Sequence, residues 1–500
     1  MFTHGGQIME FTGTRNNDLH IHAAAAILQG LAPDGGLFVP EEIPLIQGKE
    51  IEEMASMSYE QTAAFVLERF LPGFGFGELL EYARAAYAGF DDATVTPLRP
   101  FGEGIHLMEL YHGPTCAFKD LALQMLPHLM SASVQKCGEE HTVAILAATS
   151  GDTGKAALAG FADVPGTRIG VFYPDGGVSD IQRAQMVTQE GNNVLVLGVR
   201  GNFDDAQTGV KRLFSDRALS ERLKDAGVVF SSANSINWGR LAPQIAYYYY
   251  AYAQLLCSGA VRMGDKIDFA VPTGNFGDIL AGYYAKLSGL PVEKLICASN
   301  ANNILTDFFR SGIYDKNRPF MLTMSPSMDI LVSSNLERLL FMLSGDAGQI
   351  SVWMRELNRT GRYDTGDLSK KIAAEGFLGY CADENETARM IRDAWNSARV
   401  LVDPHTAVGL SAARQYRKET GESRPCVVLA TASAFKFARS MLIALGQQSP
   451  DSGFDALDAL SDFSSQPVPA QLASLREKPE RFISVVPPEE MGRSIEEWLI

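Results

Sequence analysis

From about residue 105 onward, short apolar runs alternate with stretches that have helical spacing. Each run is followed by a polar loop rich in glycine or hydroxyl residues. This alternation predicts strands of a parallel sheet with helices on both faces. Ligands bind beyond the carboxyl ends of such strands, so the loops that follow them are where we look for chemistry. The predicted strands are Val143–Ala148, Arg168–Tyr173, Asn193–Val199, Val228–Ser231, Ile267–Val271 and Val427–Ala430.

The segments outside this alternation have other patterns. Ala23–Leu28 and Tyr59–Phe70 have helical spacing and predict a small helical lobe at the N-terminal end. The stretch Gln447–Pro469 is rich in Ser, Asp and Pro and predicts a surface connector. The predicted fold class is α/β, with two parallel-sheet αβα subdomains. The predicted segments are the N-terminal lobe (1–95), the α/β core (96–300 and 401–446), a helix-rich insertion (301–400) and a C-terminal tail (447–500).

Charge and composition exclude several classes of protein. Apolar residues make up 46% and charged residues 20% of the 500-residue chain, which rules out wholesale disorder. The net charge of −16 argues against binding to nucleic acid or to an anionic membrane surface, although a local pocket can still bind a small anion. The longest apolar run, Ile245–Ala253, is far shorter than the roughly 20 residues of a membrane span.

The cysteines and the first residues bear on location. None of the six cysteines forms a CxxC pair, so no zinc or thioredoxin-type motif is predicted. Scattered thiols are typical of a reducing compartment. The first 48 residues hold one basic residue, Arg15, which fits neither a signal peptide nor a transit peptide. We therefore expect a cytoplasmic protein without a metal site.

The densest chemical signal is the run Tyr111–Asp120, in which Lys119 stands between Phe118 and Asp120 just before an apolar helix. Burying an ammonium group is costly, so a buried lysine usually has a function. One such function is to form a Schiff base, because burial frees the amine as a nucleophile. The alternative is a surface lysine at the start of a helix.

Three glycine- or hydroxyl-rich loops follow predicted strands. Thr273–Asp278 has two glycines before a helix, which fits a phosphate cradle, although an ordinary βα turn has the same pattern. Thr149–Lys155 departs from the nucleotide-binding P-loop at both ends of that motif, but it suits a carboxylate or phosphate. Ser232–Arg240 offers amides, hydroxyls and a guanidinium that fits a phosphate. Simple helix capping is the alternative for Ser232–Arg240 and for Thr431–Ser433.

Taken together, these loops resemble those of the threonine synthase family, pyridoxal-phosphate (PLP) enzymes of the tryptophan-synthase-β, or fold type II, group. Phe11–Arg15 and Gly30–Leu37 match the family as well, and order and spacing agree from about residue 10 to 445. The N-terminal lobe and the 300–400 insertion are similar to those of the longer, bacterial and fungal members. One departure is Ser433-Ala434, where a proline-containing variant is expected. The matching runs are HGPTCAFKD (112–120), ATSGDTGKA (148–156), SSANSINWGRL (231–241), PTGNFGD (272–278) and MSPSMDILVSSNLERLLF (324–341).

The resemblance implies a role for each motif. Lys119 would bind PLP covalently and move protons, Asp152 would contact the cofactor, and Thr431 would meet its pyridine nitrogen. The cofactor phosphate would be bound by the backbone amides of Gly274, Asn275, Phe276, Gly277 and Asp278. The candidates for the carboxylate and phosphate of the substrate are Ser150, Thr153, Asn234, Asn237 and Arg240.

The resemblance also implies an activity. A lyase of this family would convert O-phospho-L-homoserine and water to L-threonine and phosphate, by γ-elimination and β-addition of water, as the last step of threonine biosynthesis. It would act on this small molecule as a monomer or homodimer, without nucleic acid or membrane. The alternatives are a serine/threonine dehydratase-like PLP lyase, which needs no second phosphate site, and a non-catalytic PLP-binding relative.

Overall fold

Two parallel β-sheets carry the apolar runs of the sequence. The structure, a computed structural model, describes residues 10–149 and 151–500, except for the side chain of Asp204. The N-terminal lobe comprises β1 (Phe11–Gly13), β2 (Asn16–Ile21), α1 (Ala23–Gln29), β3 (Phe38–Pro40), α2 (Gly48–Met54), α3 (Tyr59–Phe70) and α4 (Phe76–Tyr87).

The core elements follow in the alternating order that the sequence predicts. They are β4 (Leu98–Gly102), β5 (Ile105–Glu109), α5 (Lys119–Leu123), α6 (Leu126–Cys137), β6 (Thr142–Ala148), α7 (Asp152–Phe161), β7 (Thr167–Pro174), α8 (Asp180–Val187), β8 (Val194–Val199), α9 (Phe203–Ser215), α10 (Arg217–Asp225), β9 (Val228–Ser231), α11 (Trp238–Cys257), β10 (Ile267–Pro272), α12 (Gly277–Leu287) and β11 (Val292–Ser299).

The remaining chain is mixed. Residues 301–400 form α13 (Ile304–Ser311), β12 (Ile313–Asp315), a 3-10 turn (Pro326–Met328), α14 (Leu336–Ser344), α15 (Ala347–Thr360), β13 (Arg362–Asp364), α16 (Leu368–Ala374), β14 (Phe377–Cys381) and α17 (Glu384–Ala398). The rest forms α18 (Pro404–Thr420), β15 (Cys426–Ala430), a 3-10 turn (Ala434–Phe437), α19 (Ala438–Ala444), α20 (Gly453–Ser464), α21 (Ala470–Ala473), two more 3-10 turns (Ser474–Arg476 and Pro488–Glu490), β16 (Val485–Val486) and α22 (Met491–Leu499).

The two sheets form the two predicted subdomains. The first has the strand order β16-β8-β7-β6-β9 and is parallel throughout. The second has the order β14-β11-β10-β15-β5-β4 and is parallel except for the edge strand β4. Val143–Ala147 of β6 are buried on both faces, as expected for a strand covered by helices on both sides. The predicted α/β class with two parallel sheets is therefore confirmed.

Helix α11 runs through the middle of the molecule. All but three of its twenty residues are buried, including the four consecutive tyrosines Tyr247–Tyr250. A helix that is apolar on all sides must be surrounded by other elements. It packs on α3 of the lobe, on α5 of the first subdomain and on α12 of the second. This helix thus holds both subdomains and the lobe together around the loops that precede α5 and α12.

The structure differs from the sequence prediction in each of the flanking segments. The lobe is not purely helical, because β2, β1 and β3 form an antiparallel sheet. Within the insertion, β14 pairs with β11 and so belongs to the second core sheet. Strand β11 itself was not predicted. The predicted domain boundaries otherwise stay predictions.

The expectation of a surface connector after residue 446 is wrong. Helix α20 buries Ala456, Leu457 and Leu460, and the predicted connector therefore contributes to the core. Further on, β16 extends the first sheet beside β8, and α22 buries Ile495 against that sheet. Within the described residues, no helix combines the length and the apolar character needed to cross a bilayer.

Candidate active site

The loop before α5 places Lys119 at the carboxyl end of the second sheet. Two backbone hydrogen bonds tie this loop to the segment after β15: Phe118 N–H donates to Thr431 O (2.8 Å) and Ser433 N–H donates to Cys116 O (3.0 Å), which together form the bridge between Ala117 and Ala432. Cys116 has a φ of 57°, a left-handed conformation that costs energy in a residue with a side chain. The predicted partners Lys119 and Thr431 are therefore brought together.

Lys119 lies inside the protein, so the surface-lysine alternative is wrong. Its side chain is 11% exposed, and its Nζ lies 3.0 Å from Ser327 Oγ and 3.4 Å from Asp152 Oδ2. Burial lowers the pKa of Lys119 below that of an ordinary lysine. The Asp152 carboxylate opposes this shift, whereas the cations of Lys436 and Arg240 add to it. The arrangement favours a neutral amine, which is the form that acts as a nucleophile or base.

Asp152 begins α7 and is surrounded by donors. Lys436 Nζ lies 2.7 Å from its Oδ1, Gln182 Nε2 donates to the same oxygen at 3.1 Å, and Ser327 Oγ donates to Oδ2 at 3.2 Å. Burial alone would raise the pKa of Asp152, but the cation of Lys436 above all, then Lys119 when it is protonated, and the hydrogen bonds from Lys436 and Gln182 outweigh burial and hold this pKa well below the usual range. The carboxylate that sequence analysis places at the cofactor is therefore a fixed negative charge.

A chain of hydrogen bonds through His405 and Asp403 fixes the position of Ser327. Ser327 N–H donates to His405 Nε2 at 3.1 Å, and the other ring nitrogen, Nδ1, lies 2.7 Å from Asp403 Oδ1. Asp403 caps α18 and also accepts a hydrogen bond from Thr406 Oγ1. The acceptor role of Nε2 implies that the proton lies on Nδ1, where the carboxylate holds it. Ser327 is thereby held against both Lys119 and Asp152.

The predicted phosphate cradle lies where β10 meets α12. Its carbonyls face away from the site: Ser333 Oγ donates to Gly274 O at 2.8 Å, and Asn335 N–H donates to Asn275 O at 3.1 Å. Within the described residues, no group accepts a hydrogen bond from the amides of Gly274, Asn275 or Phe276. The first amides of α12 also lack partners inside their helix, and the helix dipole adds partial positive charge.

Glycine is required at the start of the cradle. A Cβ on Gly274 would lie 2.7 Å from Ser327 O, so the segment that carries Ser327 packs directly on the backbone there. Phe276 has a φ of 64° and, like Cys116, is held in the left-handed region next to the site. Strained backbone of this kind is concentrated at functional sites.

The side chain of Asp278 faces away from the cradle and into the core. Its Oδ1 accepts hydrogen bonds from Tyr247 OH (2.5 Å) and Tyr248 OH (2.8 Å). Burial raises the pKa of Asp278 to about 6, although the two tyrosine hydrogen bonds oppose the shift. Only the backbone amide of Asp278 can serve the cradle, and the side chain anchors α12 to α11.

Arg240 is the most informative of the predicted substrate residues. Its side chain is buried, it donates to Ala233 O at 2.9 Å, and burial lowers its pKa to about 10. No carboxylate pairs with it among the residues that the structure describes. Its cation acts on Lys119, which places it near the reactive amine. A buried cation without a counter-ion is suited to bind an anion.

The other predicted substrate residues differ in what they can offer. Asn237 uses its amide inside the protein: Nδ2 donates to Ile27 O and Ser232 O, and Oδ1 caps α11. It is therefore a structural residue, and we leave it out of the substrate site. Asn234 is half-buried in the loop between β9 and α11, and Thr153 is half-buried in the first turn of α7. Ser150 lies outside the described residues.

Sequence reasoning missed five residues of the site. Lys436 follows Thr431 in an apolar stretch, and a buried lysine between two phenylalanines was the available signal. Ser327 lies in a run that matched the family but received no role. The contacts of Gln182, Asp403 and His405 come from remote parts of the chain, so no spacing rule reveals them.

The site meets the chemical requirements of PLP. An aldehyde needs a lysine that is neutral, and a phosphate needs amides without acceptors; Lys119 and the 274–278 cradle provide both. The residues that would hold the cofactor are Lys119, Asp152, Thr431 and the amides of Gly274–Asp278.

Comparisons with known proteins cover most of the described chain. Three family models match: "Threonine synthase N terminus" over residues 10–87, "Pyridoxal-phosphate dependent enzyme" over 91–432 and "Threonine synthase, C-terminal" over 406–493. The last match includes α20, α21 and the first residues of α22, so the C-terminal elements up to residue 493 are part of the family fold.

Individual relatives agree with the family models. Human threonine synthase-like 1 is 39% identical over 84% of this chain, which spans 57% of that protein's length. Threonine synthase of Pseudomonas aeruginosa is 38% identical over 95% of both chains. The crystal structure of PLP-bound threonine synthase from Brucella melitensis superposes with a TM-score of 0.86 at 36% identity over 98% of both chains. The chain belongs to the threonine synthase family of pyridoxal-phosphate-dependent enzymes.

Proposed function

We propose that this chain is a threonine synthase, which converts O-phospho-L-homoserine and water to L-threonine and phosphate. The observation that carries the proposal is Arg240, a buried guanidinium near Lys119 with no carboxylate partner in the described part of the chain. The cofactor has one phosphate, for which the 274–278 cradle is suited. A second anion site near the reactive lysine is needed only if the substrate carries its own phosphate.

Each residue of the site has its own role in the proposed reaction. Bound PLP supplies an electron sink for the negative charge that develops on the substrate. Lys119 Nζ accepts the proton from the α-carbon, releases it to water, and then accepts one from the β-carbon, because its neutral form is favoured by burial and by the neighbouring cations. In the product, one proton is returned to the γ-carbon and one to the α-carbon. Ser327 Oγ, held by His405, positions that amine.

Arg240 acts on the leaving group. The bond between the γ-carbon and the phosphate oxygen breaks, and phosphate departs with the electron pair. A guanidinium positioned beforehand in a buried site stabilises this charge without reorganising. Thr153 and Asn234 are the remaining candidates to bind the α-carboxylate of the substrate. After phosphate has left, the hydroxyl group of water is added at the β-carbon.

We also propose a location and an assembly for the enzyme. The six cysteines are all free, which fits the reducing conditions of the cytoplasm. The residues needed to hold PLP and both ends of the substrate come from one chain, so a monomer or a homodimer would serve equally well. The size of the purified protein by light scattering distinguishes the two.

The first experiment measures phosphate release from O-phospho-L-homoserine, with threonine identified in the same tube. We expect equal amounts of phosphate and threonine from the wild type and neither from Lys119→Ala. L-Homoserine, which lacks the phosphate, should not be turned over.

Two results would replace the proposal. Keto acid formed from serine or threonine without phosphate release would indicate a dehydratase. Bound PLP without turnover of any of these compounds would indicate a non-catalytic relative.

A further inference from the structure

Lys436 is a buried lysine beside the reactive one, and the proposed chemistry does not use it. It lies in the 3-10 turn after β15, and its side chain is 0% exposed. Its Nζ lies 2.7 Å from Asp152 Oδ1 and donates to Thr115 O at 2.8 Å. Both contacts are short and shielded from water, so Lys436 is a permanent partner of the Asp152 carboxylate.

The two lysines compete for that single carboxylate. Lys436 lies on Oδ1, whereas Lys119 lies 3.4 Å from Oδ2, a longer contact with a more exposed side chain. The charges that face Lys119 are Asp152 from α7, Lys436 from the 3-10 turn and Arg240 from α11. One anion thus stands against three potential cations. Burying so much positive charge is unfavourable, and the free-energy cost of burial is lower if one of the two lysines is neutral.

The geometry decides which lysine gives up its proton. Lys436 has the shorter ion pair and a second acceptor at Thr115 O, so its charge is well compensated. Asp120 adds a further carboxylate on its side, since that group and Lys436 interact electrostatically. Lys119 has the poorer ion pair and faces the repulsion of Arg240. The neutral amine is therefore Lys119.

We propose that Lys436 is a positioning residue. It forms the ion pair that compensates the negative charge of Asp152, and it thereby leaves Lys119 as the neutral, reactive amine. Without Lys436, Asp152 would have Lys119 as its only lysine partner. The carboxylate would then hold the Lys119 proton, and the amine would be less available to bind an aldehyde or to act as a base. This inference rests on the proposed role of Lys119 and not on the identity of the substrate.

The test measures the protonation of Lys119 directly in the apo-protein. Brief labelling with acetic anhydride at a series of pH values modifies neutral amines, and mass spectrometry quantifies the product at Lys119. We expect Lys436→Met to shift the midpoint of Lys119 labelling upward by about one pH unit, which is about tenfold less labelling below both midpoints. Lys436→Gln keeps a hydrogen-bond donor without the charge and should shift the midpoint in the same direction.

Lys155→Met is the matched control. Lys155 is a half-buried lysine on α7, but its Nζ donates to Gln189 Oε1 and not to Asp152. Its loss should leave the Lys119 midpoint unchanged. Asp152→Asn should shift the midpoint downward, because it removes the anion that holds the proton. Thermal melting of each variant shows whether it is folded.

Specific results would overturn the inference. Folded Lys436→Met and Lys436→Gln with a wild-type midpoint would make Lys436 a purely structural residue. If neither variant folds, an unchanged midpoint in Asp152→Asn would also overturn it, since Asp152 would then not control the proton. Failure of the wild type to release phosphate from O-phospho-L-homoserine would contradict the proposed substrate but not this inference, because the labelling uses neither substrate nor PLP.

Discussion

Arg15 and Glu337 form a bidentate ion pair between the N-terminal lobe and helix α14. Arg15 Nε donates to Oε1 at 2.8 Å and Nη2 donates to Oε2 at 2.7 Å, and Thr14 Oγ1 adds a third donor to Oε1 at 2.6 Å. The residues just before Glu337 include Ser333 and Asn335, which hold the carbonyls of the cradle. The lobe is thus connected to the cradle through the start of α14.

Breaking this pair should weaken cofactor binding from a distance. In Arg15→Met, the buried Glu337 loses its charged partner, and we expect a loss of about 2 kcal/mol in the free energy of unfolding. PLP affinity, measured by fluorescence titration of the apo-protein, should fall in parallel. Arg69→Met, which removes a pair to Glu50 within the lobe, is the control and should leave PLP affinity as it is.

Gly274→Ala should impair the cradle itself. The added Cβ would lie 2.7 Å from Ser327 O, so either the cradle or the Ser327 segment must move. We expect at least about a tenfold weaker Kd for PLP, or about 1.4 kcal/mol. Gly77→Ala is a suitable control, because a Cβ there meets no other atom within 4 Å. Wild-type affinity in Gly274→Ala would show that PLP phosphate is bound elsewhere.

Arg240→Met should lower turnover without lowering the stability of the protein. Losing the proposed phosphate ligand should lower kcat/KM for O-phospho-L-homoserine by about 100-fold or more. Stability should not fall with it, because the buried guanidinium has no carboxylate partner among the described residues and its removal ends a desolvation cost. Steady-state kinetics and Tm measure the two effects. A Tm loss that accompanied wild-type kcat/KM would reverse the assignment and make Arg240 structural.

Asp278 should make stability depend on pH. Burial raises its pKa to about 6 in the folded protein, so the folded state binds this proton more tightly than the unfolded chain does. The contribution to stability is therefore present at acidic pH and is lost as the pH rises through 6, by about 3 kcal/mol in total. Asp278→Asn cannot titrate, so the difference in Tm between the variant and the wild type should change between pH 4.5 and pH 8. A constant difference would contradict the assignment.

The sequence predicts the core of this fold well because strands there are long and apolar. Val143–Ala148 and Val228–Ser231 differ from β6 and β9 by at most one residue. Two of the strands that were missed, β14 and β16, lack that signal. Strand β14 is flanked by charged helices, and β16 has two residues and exists only because β8 offers it an edge. Their pairing depends on strands that are distant in the sequence, so the local pattern of residues does not predict it.

The candidate site shows the same limit. Lys119, Thr431 and the 274–278 cradle lie in loops after strands, where both the sequence motifs and the rule for parallel sheets direct attention. Lys436 was overlooked because its partner, Asp152, lies in the other subdomain. The phenylalanines on either side of Lys436 point to burial, but only the fold reveals the carboxylate that compensates its charge.

The pairing of β16 with β8 has a consequence for how the protein is made. Strand β8 would otherwise be an open edge of the first sheet, and open edges recruit strands from other chains. Its partner β16 is synthesised long after β8, because α20 and the second sheet lie between them in the chain. A nascent chain therefore exposes this edge until β16 has been made, and a protein cut short before β16 keeps it exposed. Aggregation of such shortened chains, rather than loss of catalysis, would be their first defect.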